Sequence, residues 1–193
     1  MNICVFGAAS TEIDELYIKK VEELGERMAN RSHNLVFGAG NGGLMGAAAR
    51  GTKKGGGKVF GFIPSFFKEE IVEPIFDSCD EITFTDNMAE RKAGMENLAD
   101  AFIIVPGGIG TFEEFFQVLT LKQLGRHTKP IVIYDIDGYY DILEEFLDFS
   151  IKKKFIKSTV KEIFGHGTTA DEVIDIVEND KRISRDVHDL KIG

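Results

Sequence analysis

Apolar runs of three to five residues alternate along the chain with longer stretches in which apolar residues recur every three or four positions. Short apolar runs that end at glycine or proline are typical of buried strands, and the longer period is typical of amphipathic helices. The predicted strands are residues 3–6, 35–37, 59–63, 82–84, 101–105, 131–134 and 162–164. Strand and helix alternate throughout, which predicts an α/β fold, a doubly wound parallel sheet of about seven strands with helices on both faces.

Glycine-rich turns follow the first, second and fifth predicted strands, at residues 7–10, 38–43 and 106–110. The carboxyl ends of parallel strands lie along one edge of a sheet, and ligands of doubly wound folds bind beyond that edge. We therefore expect the three turns to contribute to a single site. Residues 65–80 lack a clear period but are too apolar for a solvated linker, and we predict a loop or short helix that borders the site.

The turn after the fifth strand leads directly into a helix predicted over residues 111–124. Closely spaced glycines let the backbone approach a ligand, and a helix start offers unpaired N–H groups and a positive dipole end, which favours a phosphate site. In the alternative interpretation, Thr111 and Glu114 form a capping box that needs no ligand. Adjacent helix residues point about 100° apart, so Glu113 and Glu114 cannot both face one bound molecule.

Two cations lie near the start of a helix predicted over residues 88–98, for which Asp86-Asn87 supplies the caps. The helix dipole disfavours cations at this end. Lys92 has Glu96 four residues on and is a candidate for a surface ion pair. Arg91 has no acid at its helical neighbour positions, so it is the better candidate for reaching a ligand, and a solvated side chain is the alternative.

The helix predicted over residues 111–124 is apolar on more than one face, which indicates burial and contact with a partner subunit. A last helix begins at a cap over residues 169–172 and ends near residue 177. The tail that follows is charged and expected to fray. We predict a single domain over residues 1–178 and a charged tail over residues 179–193.

Composition narrows the class of protein. The 193 residues are 43% hydrophobic, enough for one full core, and the net charge of −9 with scattered Lys and Arg argues against nucleic-acid or membrane partners. Cys4, Cys79 and the four His residues show neither a disulfide framework nor a metal-ligand spacing, so no metal site is predicted. With no leader and no long apolar run, we expect a soluble, cytoplasmic protein.

Several common nucleotide motifs fit poorly. Gly38, Gly40 and Gly43 match the dinucleotide fingerprint, but the next strand ends in Pro64-Ser65 and lacks the acid that would bind the ribose of NAD. The chain contains neither a P-loop sequence nor a Gly-x-Ser-x-Gly elbow. These observations argue against a dehydrogenase, a P-loop ATPase and a serine hydrolase.

The glycine turn and the two cations together resemble a known family. The run Pro106-Gly107-Gly108-Ile109-Gly110-Thr111-Phe112-Glu113-Glu114 fits the Pro-Gly-Gly-x-Gly-Thr-x-x-Glu signature of the Lonely Guy family, cytokinin-activating phosphoribohydrolases often labelled lysine decarboxylases. Arg91-Lys92 stands at the position of the family's Arg-Lys pair, and residues 38–46 resemble its second glycine turn. The resemblance runs from about residue 3 to residue 155.

The resemblance implies a Rossmann-like homodimer with shared active sites that hydrolyses the N-glycosidic bond of a nucleoside 5′-monophosphate, AMP or an N6-substituted AMP, to free base and ribose 5-phosphate. No cofactor is expected. By motif position Arg91 and Glu114 are the catalytic pair, with Glu114 stabilising positive charge on the ribose or activating water. The predicted substrate-binding residues are Gly7, Ser10, Gly40, Asn41, Met88, Lys92, Gly107, Gly108, Ile109, Gly110, Thr111 and Glu113.

Three positions depart from the family pattern: Ala89 replaces a usual His, Ala8-Ala9 stands in a turn that commonly reads Gly-Ser-Ser, and Ile109 replaces a frequent aromatic residue. None belongs to the catalytic pair. The competing class is a non-catalytic nucleotide or molybdenum-cofactor carrier of the same fold. A carrier needs the glycine turns but not Arg91 with Glu114, so the presence of both favours the enzyme. Nothing resembles the Schiff-base lysine motif of a pyridoxal-dependent decarboxylase.

Overall fold

The computed structural model describes residues 1–70, 74–182 and 190, and contains one parallel sheet of seven strands in the order β4-β3-β2-β1-β5-β6-β7. The strands are β1 (Asn2–Phe6), β2 (Asn34–Phe37), β3 (Val59–Pro64), β4 (Glu81–Thr85), β5 (Ala101–Ile104), β6 (Ile131–Tyr134) and β7 (Gly165–Gly167). The helices are α1 (Glu15–Asn30), α2 (Gly43–Lys54), α3 (Ser65–Glu70), α4 (Met88–Leu98), α5 (Ile109–Gln123), α6 (Asp141–Lys152) and α7 (Ala170–Asn179). The predicted doubly wound α/β fold is confirmed.

Helices cover both faces of the sheet because successive strand residues point to opposite sides. Ile3 and Val5 of β1 belong to the core beneath α1, α2 and α7, where Val21 and Leu24 are fully buried. Cys4 and Phe6 belong to the second core, with residues of α4 and α5 such as Met95, Phe115 and Val118. Each central strand is therefore buried on both sides, as the continuous apolar runs indicate.

The caps explain where several helices begin. Asn87 accepts a hydrogen bond from the Glu90 N–H at 2.9 Å, so α4 has the predicted bounds. Thr169 caps α7 in the same way, and α7 continues to Asn179, two residues beyond the predicted end. The short helix α3 lies where a loop or short helix was expected, and residues 71–73 of that segment lie outside the described residues.

The prediction of a seventh strand at residues 162–164 is wrong. Residues 158–162 form a 3₁₀ helix, and Ile163 is buried in the second core. The strand is Gly165–Gly167 instead, whose residues pair with Val132, Ile133 and Tyr134 of β6. Two glycines around a histidine give no strand pattern, so the pairing comes from the neighbouring backbone and not from side-chain propensity.

The strand order reverses between β1 and β5, which pair in parallel from Ile3 with Ala101 to Phe6 with Ile104. This switch point opens a crevice beyond the carboxyl ends of the two strands. The first and third glycine turns both begin there. Among the described residues, none of the helices has both the length and the apolar character that crossing a bilayer requires.

The predicted tail is described only in part. Lys122 of α5 lies 3.9 Å from Asp180, and Gln123 donates to the Leu190 carbonyl at 2.7 Å. Leu190 is buried in the second core. Residues 183–189 and 191–193 lie outside the described residues, so the domain boundary at residue 178 stays a prediction.

Candidate active site

A cavity of about 450 Å³ opens at the switch point. It lies between the turn that follows β1 and the start of α5, and α2, α3 and α4 each contribute one residue to its other walls. Its lining residues are Gly7, Ala8, Ala9, Ser10, Met45, Phe67, Arg91, Gly108, Gly110, Thr111 and Glu114. The structure thus brings both predicted catalytic residues together with five of the predicted substrate-binding residues, Gly7, Ser10, Gly108, Gly110 and Thr111.

Arg91 and Glu114 lie next to each other in the cavity wall. The Arg91 Nη1 atom lies 3.8 Å from Glu114 Oε1, and the two side chains are only 7% and 14% exposed. The rest of the guanidinium is occupied, because Nε donates to the Phe62 carbonyl at 3.1 Å and Nη2 donates to the Gly38 carbonyl at 3.2 Å. Arg91 is therefore a fixed, buried cation and not a solvated side chain.

Among the described residues that line the cavity, Glu114 is the one acid. Burial raises its pKa from an ordinary 4.5 to about 7, and the Arg91 charge works in the opposite direction. Glu113 and Glu96 add to the rise, whereas Lys92 opposes it. A carboxyl with a pKa near neutrality, inside a cavity, is suited to exchange a proton with a bound reactant.

The start of α5 excludes the capping-box interpretation. The N-cap is Gly108, which has no side chain to form a capping hydrogen bond. The first hydrogen bond of the helix runs from the Phe112 N–H to the Gly108 carbonyl at 3.0 Å. Thr111 is thus the third residue of the helix and Glu114 the sixth, so Glu114 cannot reach the cap. In the described structure the N–H groups of the first turn have no helical carbonyl partner, which leaves donors for an anion.

Comparison with known proteins places the chain in a family. A family model described as "Possible lysine decarboxylase" matches residues 45–177. The cytokinin riboside 5′-monophosphate phosphoribohydrolase LOG2 of Arabidopsis thaliana is 38% identical over 178 residues, which span 92% of this chain and 82% of that protein. The phosphoribohydrolase LOG of Oryza sativa subsp. japonica is 37% identical over 90% of this chain and 71% of its own length.

The chain belongs to the Lonely Guy family. Solved structures agree in fold. The molybdenum cofactor binding protein from Rippkaea orientalis matches with a TM-score of 0.70 at 20% identity, covering 92% of this chain and 94% of that one. The molybdenum cofactor carrier protein MCP from Chlamydomonas reinhardtii matches with a TM-score of 0.67, also at 20% identity, over 92% and 95% of the two chains. At this identity the likeness shows the shared fold alone.

Several residues of the family motifs lie outside the cavity. Lys92 pairs with Glu113 between α4 and α5, and not with Glu96 as its spacing indicates. The Met88 Sδ atom lies 4.0 Å from Arg91 Nη1, and Met88 is not among the lining residues. Ile109 is 88% exposed at the start of α5. Their contact with substrate stays a prediction.

The second glycine turn of this Lonely Guy chain has protein partners. The Asn41 N–H donates to the Pro74 carbonyl at 2.8 Å, and Gly40 forms a β-bridge with Ile75. At the start of α2, the Leu44 N–H donates to the Ala8 carbonyl at 2.8 Å. This helix start therefore supports the turn after β1, and substrate contacts of Gly40 and Asn41 stay predictions.

Sequence reasoning missed four lining residues: Ala8, Ala9, Met45 and Phe67. Ala8 and Ala9 lie inside a turn that was predicted to border the site, so proximity was their signal. Met45 sits in the small-residue helix and Phe67 in the aperiodic segment, where nothing in the pattern separated a lining side chain from a core one. Among the described residues, no cluster of His, Cys, Asp and Glu is arranged to hold a metal ion.

Proposed function

We propose that the protein hydrolyses the N-glycosidic bond of a nucleoside 5′-monophosphate to free base and ribose 5-phosphate. Its curated relatives carry the name cytokinin riboside 5′-monophosphate phosphoribohydrolase, and we extend the substrate class to AMP. The observation that carries the proposal is the buried Arg91–Glu114 pair beside the free N–H groups of α5.

In this proposal the start of α5 binds the phosphate, and Glu114 acts on the ribose. The 5′-phosphate binds at the start of α5, where residues 108–110 are exposed with their backbone donors and the helix dipole favours an anion. The ribose then lies over Glu114. As the bond from C1′ to the base breaks, its electron pair leaves with the base and positive charge grows on the ribose, which the Glu114 carboxylate stabilises. Water adds at C1′ and passes a proton to Glu114, the departing base takes up a proton from solvent, and Glu114 then returns its proton to solvent.

Arg91 acts on this reaction through Glu114. Two of its nitrogen atoms are bonded to the Phe62 and Gly38 carbonyls, so the guanidinium cannot follow a substrate. Its charge favours the ionised form of Glu114 against the effect of burial. Phosphate binding, by contrast, stabilises substrate and transition state alike and serves to position the ribose.

The test is release of base from AMP and from an N6-substituted AMP, followed by chromatography. Glu114→Gln keeps the shape of the side chain but not its charge, and we expect a loss of about 10²–10³-fold or more in rate with nucleotide binding retained. Glu15→Gln, at a position 76% exposed on α1, is the matched control and keeps wild-type turnover. Wild-type turnover in Glu114→Gln would refute the role of Glu114. Tight binding without base release from any nucleotide would favour the carrier function instead.

We further propose that a second copy of this chain covers the exposed apolar surface of α5 and α6. Ile142, Phe146 and Phe149 share one face of α6 and are 78%, 59% and 55% exposed, and Phe116 of α5 is 37% exposed. Ile109, at the start of α5, is itself 88% exposed. Sedimentation should give a dimer for the wild type and a folded monomer for Phe146→Glu. A wild type that stays monomeric at micromolar concentration would overturn the dimer.

A further inference from the structure

Two tyrosines that follow β6 donate hydrogen bonds to the backbone at the start of the glycine turn after β5. The Tyr139 hydroxyl donates to the Gly107 carbonyl at 2.7 Å, and the Tyr140 hydroxyl donates to the Val105 carbonyl at 2.8 Å. The carbonyl between them, that of Pro106, accepts from the Ala8 N–H at 3.2 Å. Three successive carbonyls, at residues 105–107, are therefore held by donors from outside the glycine turn.

The bond from Tyr139 fixes a peptide plane that matters for an anion. In a planar trans peptide the C=O and the following N–H point in opposite directions. Because the Gly107 carbonyl points at Tyr139, the Gly108 N–H must point away from it. Gly107 carries no side chain, and a glycine peptide rotates more freely than most.

Tyr139 itself is held in place by a tight turn. Asp137 and Gly138 have positive φ values of 57° and 70°, and the Tyr139 N–H donates to the Ile136 carbonyl at 3.2 Å. The buried carboxylate of Asp135 accepts from the Tyr140 N–H at 2.9 Å. The Tyr139 ring also packs edge-on against Tyr140, with ring centroids 5.1 Å apart. The hydroxyl therefore reaches the glycine turn from a rigid support after β6.

We propose that Tyr139 is a positioning residue for recognition of the substrate phosphate, since its hydroxyl orients the Gly107–Gly108 peptide so that the Gly108 N–H faces the anion. The inference rests on the proposed function, which places the phosphate at the start of α5. It assigns to the turn after β6 a role that neither the glycine motif nor the catalytic pair contains. Tyr139 does not touch the reacting atoms and acts through the backbone of Gly107.

The test measures binding of the two products of the reaction, ribose 5-phosphate and adenine, separately. Calorimetry with the full chain should show that Tyr139→Phe weakens binding of ribose 5-phosphate about threefold to tenfold, the range of one net hydrogen bond, and leaves binding of adenine unchanged. KM for AMP should rise by the same factor while kcat stays within about twofold, because uniform binding is lost. Tyr17→Phe is the matched control: its ring packs on Tyr139 with centroids 6.2 Å apart, and its loss of a hydroxyl leaves the Gly107 carbonyl bond intact.

The outcomes are distinct. Unchanged affinity of Tyr139→Phe for ribose 5-phosphate, or an equal loss for ribose 5-phosphate and adenine, overturns the role of Tyr139. A wild type that binds ribose 5-phosphate, releases no base and still loses affinity in Tyr139→Phe overturns the proposed reaction and leaves the positioning role standing. A wild type with no affinity for ribose 5-phosphate overturns both. Thermal unfolding of both variants checks that the fold is intact.

Discussion

Glu114 should make the protein less stable as the pH rises, and Glu114→Gln should remove this dependence. The folded-state pKa of about 7 lies above the ordinary 4.5, so the folded chain binds the proton more tightly than the unfolded chain. Stability from this group is complete below about pH 4.5 and is lost as the pH rises toward and through 7. The shift corresponds to about 3 kcal/mol in total, most of which is lost between pH 5 and pH 8.

The assay is guanidinium unfolding of wild type and Glu114→Gln at matched protein concentrations between pH 5 and pH 8. Taking the difference between the two proteins removes the contribution of groups that titrate alike in both, and the variant should gain about 2–3 kcal/mol on the wild type across this range. Glu15→Gln, at an exposed position, should show a nearly constant difference. If the Glu114→Gln difference is also flat, the carboxyl is not desolvated as the structure indicates, and its suitability for proton transfer fails with it.

Three further predictions concern Arg91, Glu114 and the helix α4 that carries Arg91. Arg91→Met removes the cation that favours the carboxylate, so the rise of activity with pH, centred near 7 in the wild type, should move upward by about one to three pH units in a pH–rate profile. In Gly38→Ala the added Cβ overlaps Arg91 Nη2, so we expect the same direction of shift and a loss of about 1–3 kcal/mol in unfolding experiments; an unchanged profile would show that the guanidinium keeps its place. Asn87→Ala removes the α4 cap and should cost about 1 kcal/mol, whereas Asn87→Asp should keep the wild-type stability.

Much of the fold follows from the sequence because its signals are local. The continuous apolar runs identify six of the seven strands, and the bounds of α4 and β6 agree with the prediction to the residue. The carboxyl-edge rule then brings the turn after β1 and the turn after β5 together without any knowledge of the strand order. The prediction of the seventh strand was wrong because its three residues, Gly165–Gly167, pair with β6 but carry no hydrophobic pattern of their own.

The candidate site was less predictable because its properties arise between elements. The pattern Thr111–Glu114 satisfied a capping box, but the helix starts at Ile109 with a glycine cap that leaves no side-chain signal. The raised pKa of Glu114 depends on burial, which no local spacing reports. The hydroxyl of Tyr139 reaches Gly107 from 32 residues away in sequence, and only the folded chain shows this contact.

The two glycine turns that resemble phosphate sites have different physical tasks. After β5, Gly108 leaves the start of α5 open to an anion. After β2, Gly38 leaves space for the Arg91 side chain, and its carbonyl accepts one of the Arg91 hydrogen bonds. The N–H of Leu44 at the start of α2 donates to the Ala8 carbonyl. One turn thus leaves backbone donors open to an anion, and the other fixes the cation whose charge favours the ionised form of Glu114. A glycine fingerprint therefore indicates a close approach to the backbone, and what approaches, a ligand or a side chain, is decided by the elements packed against it.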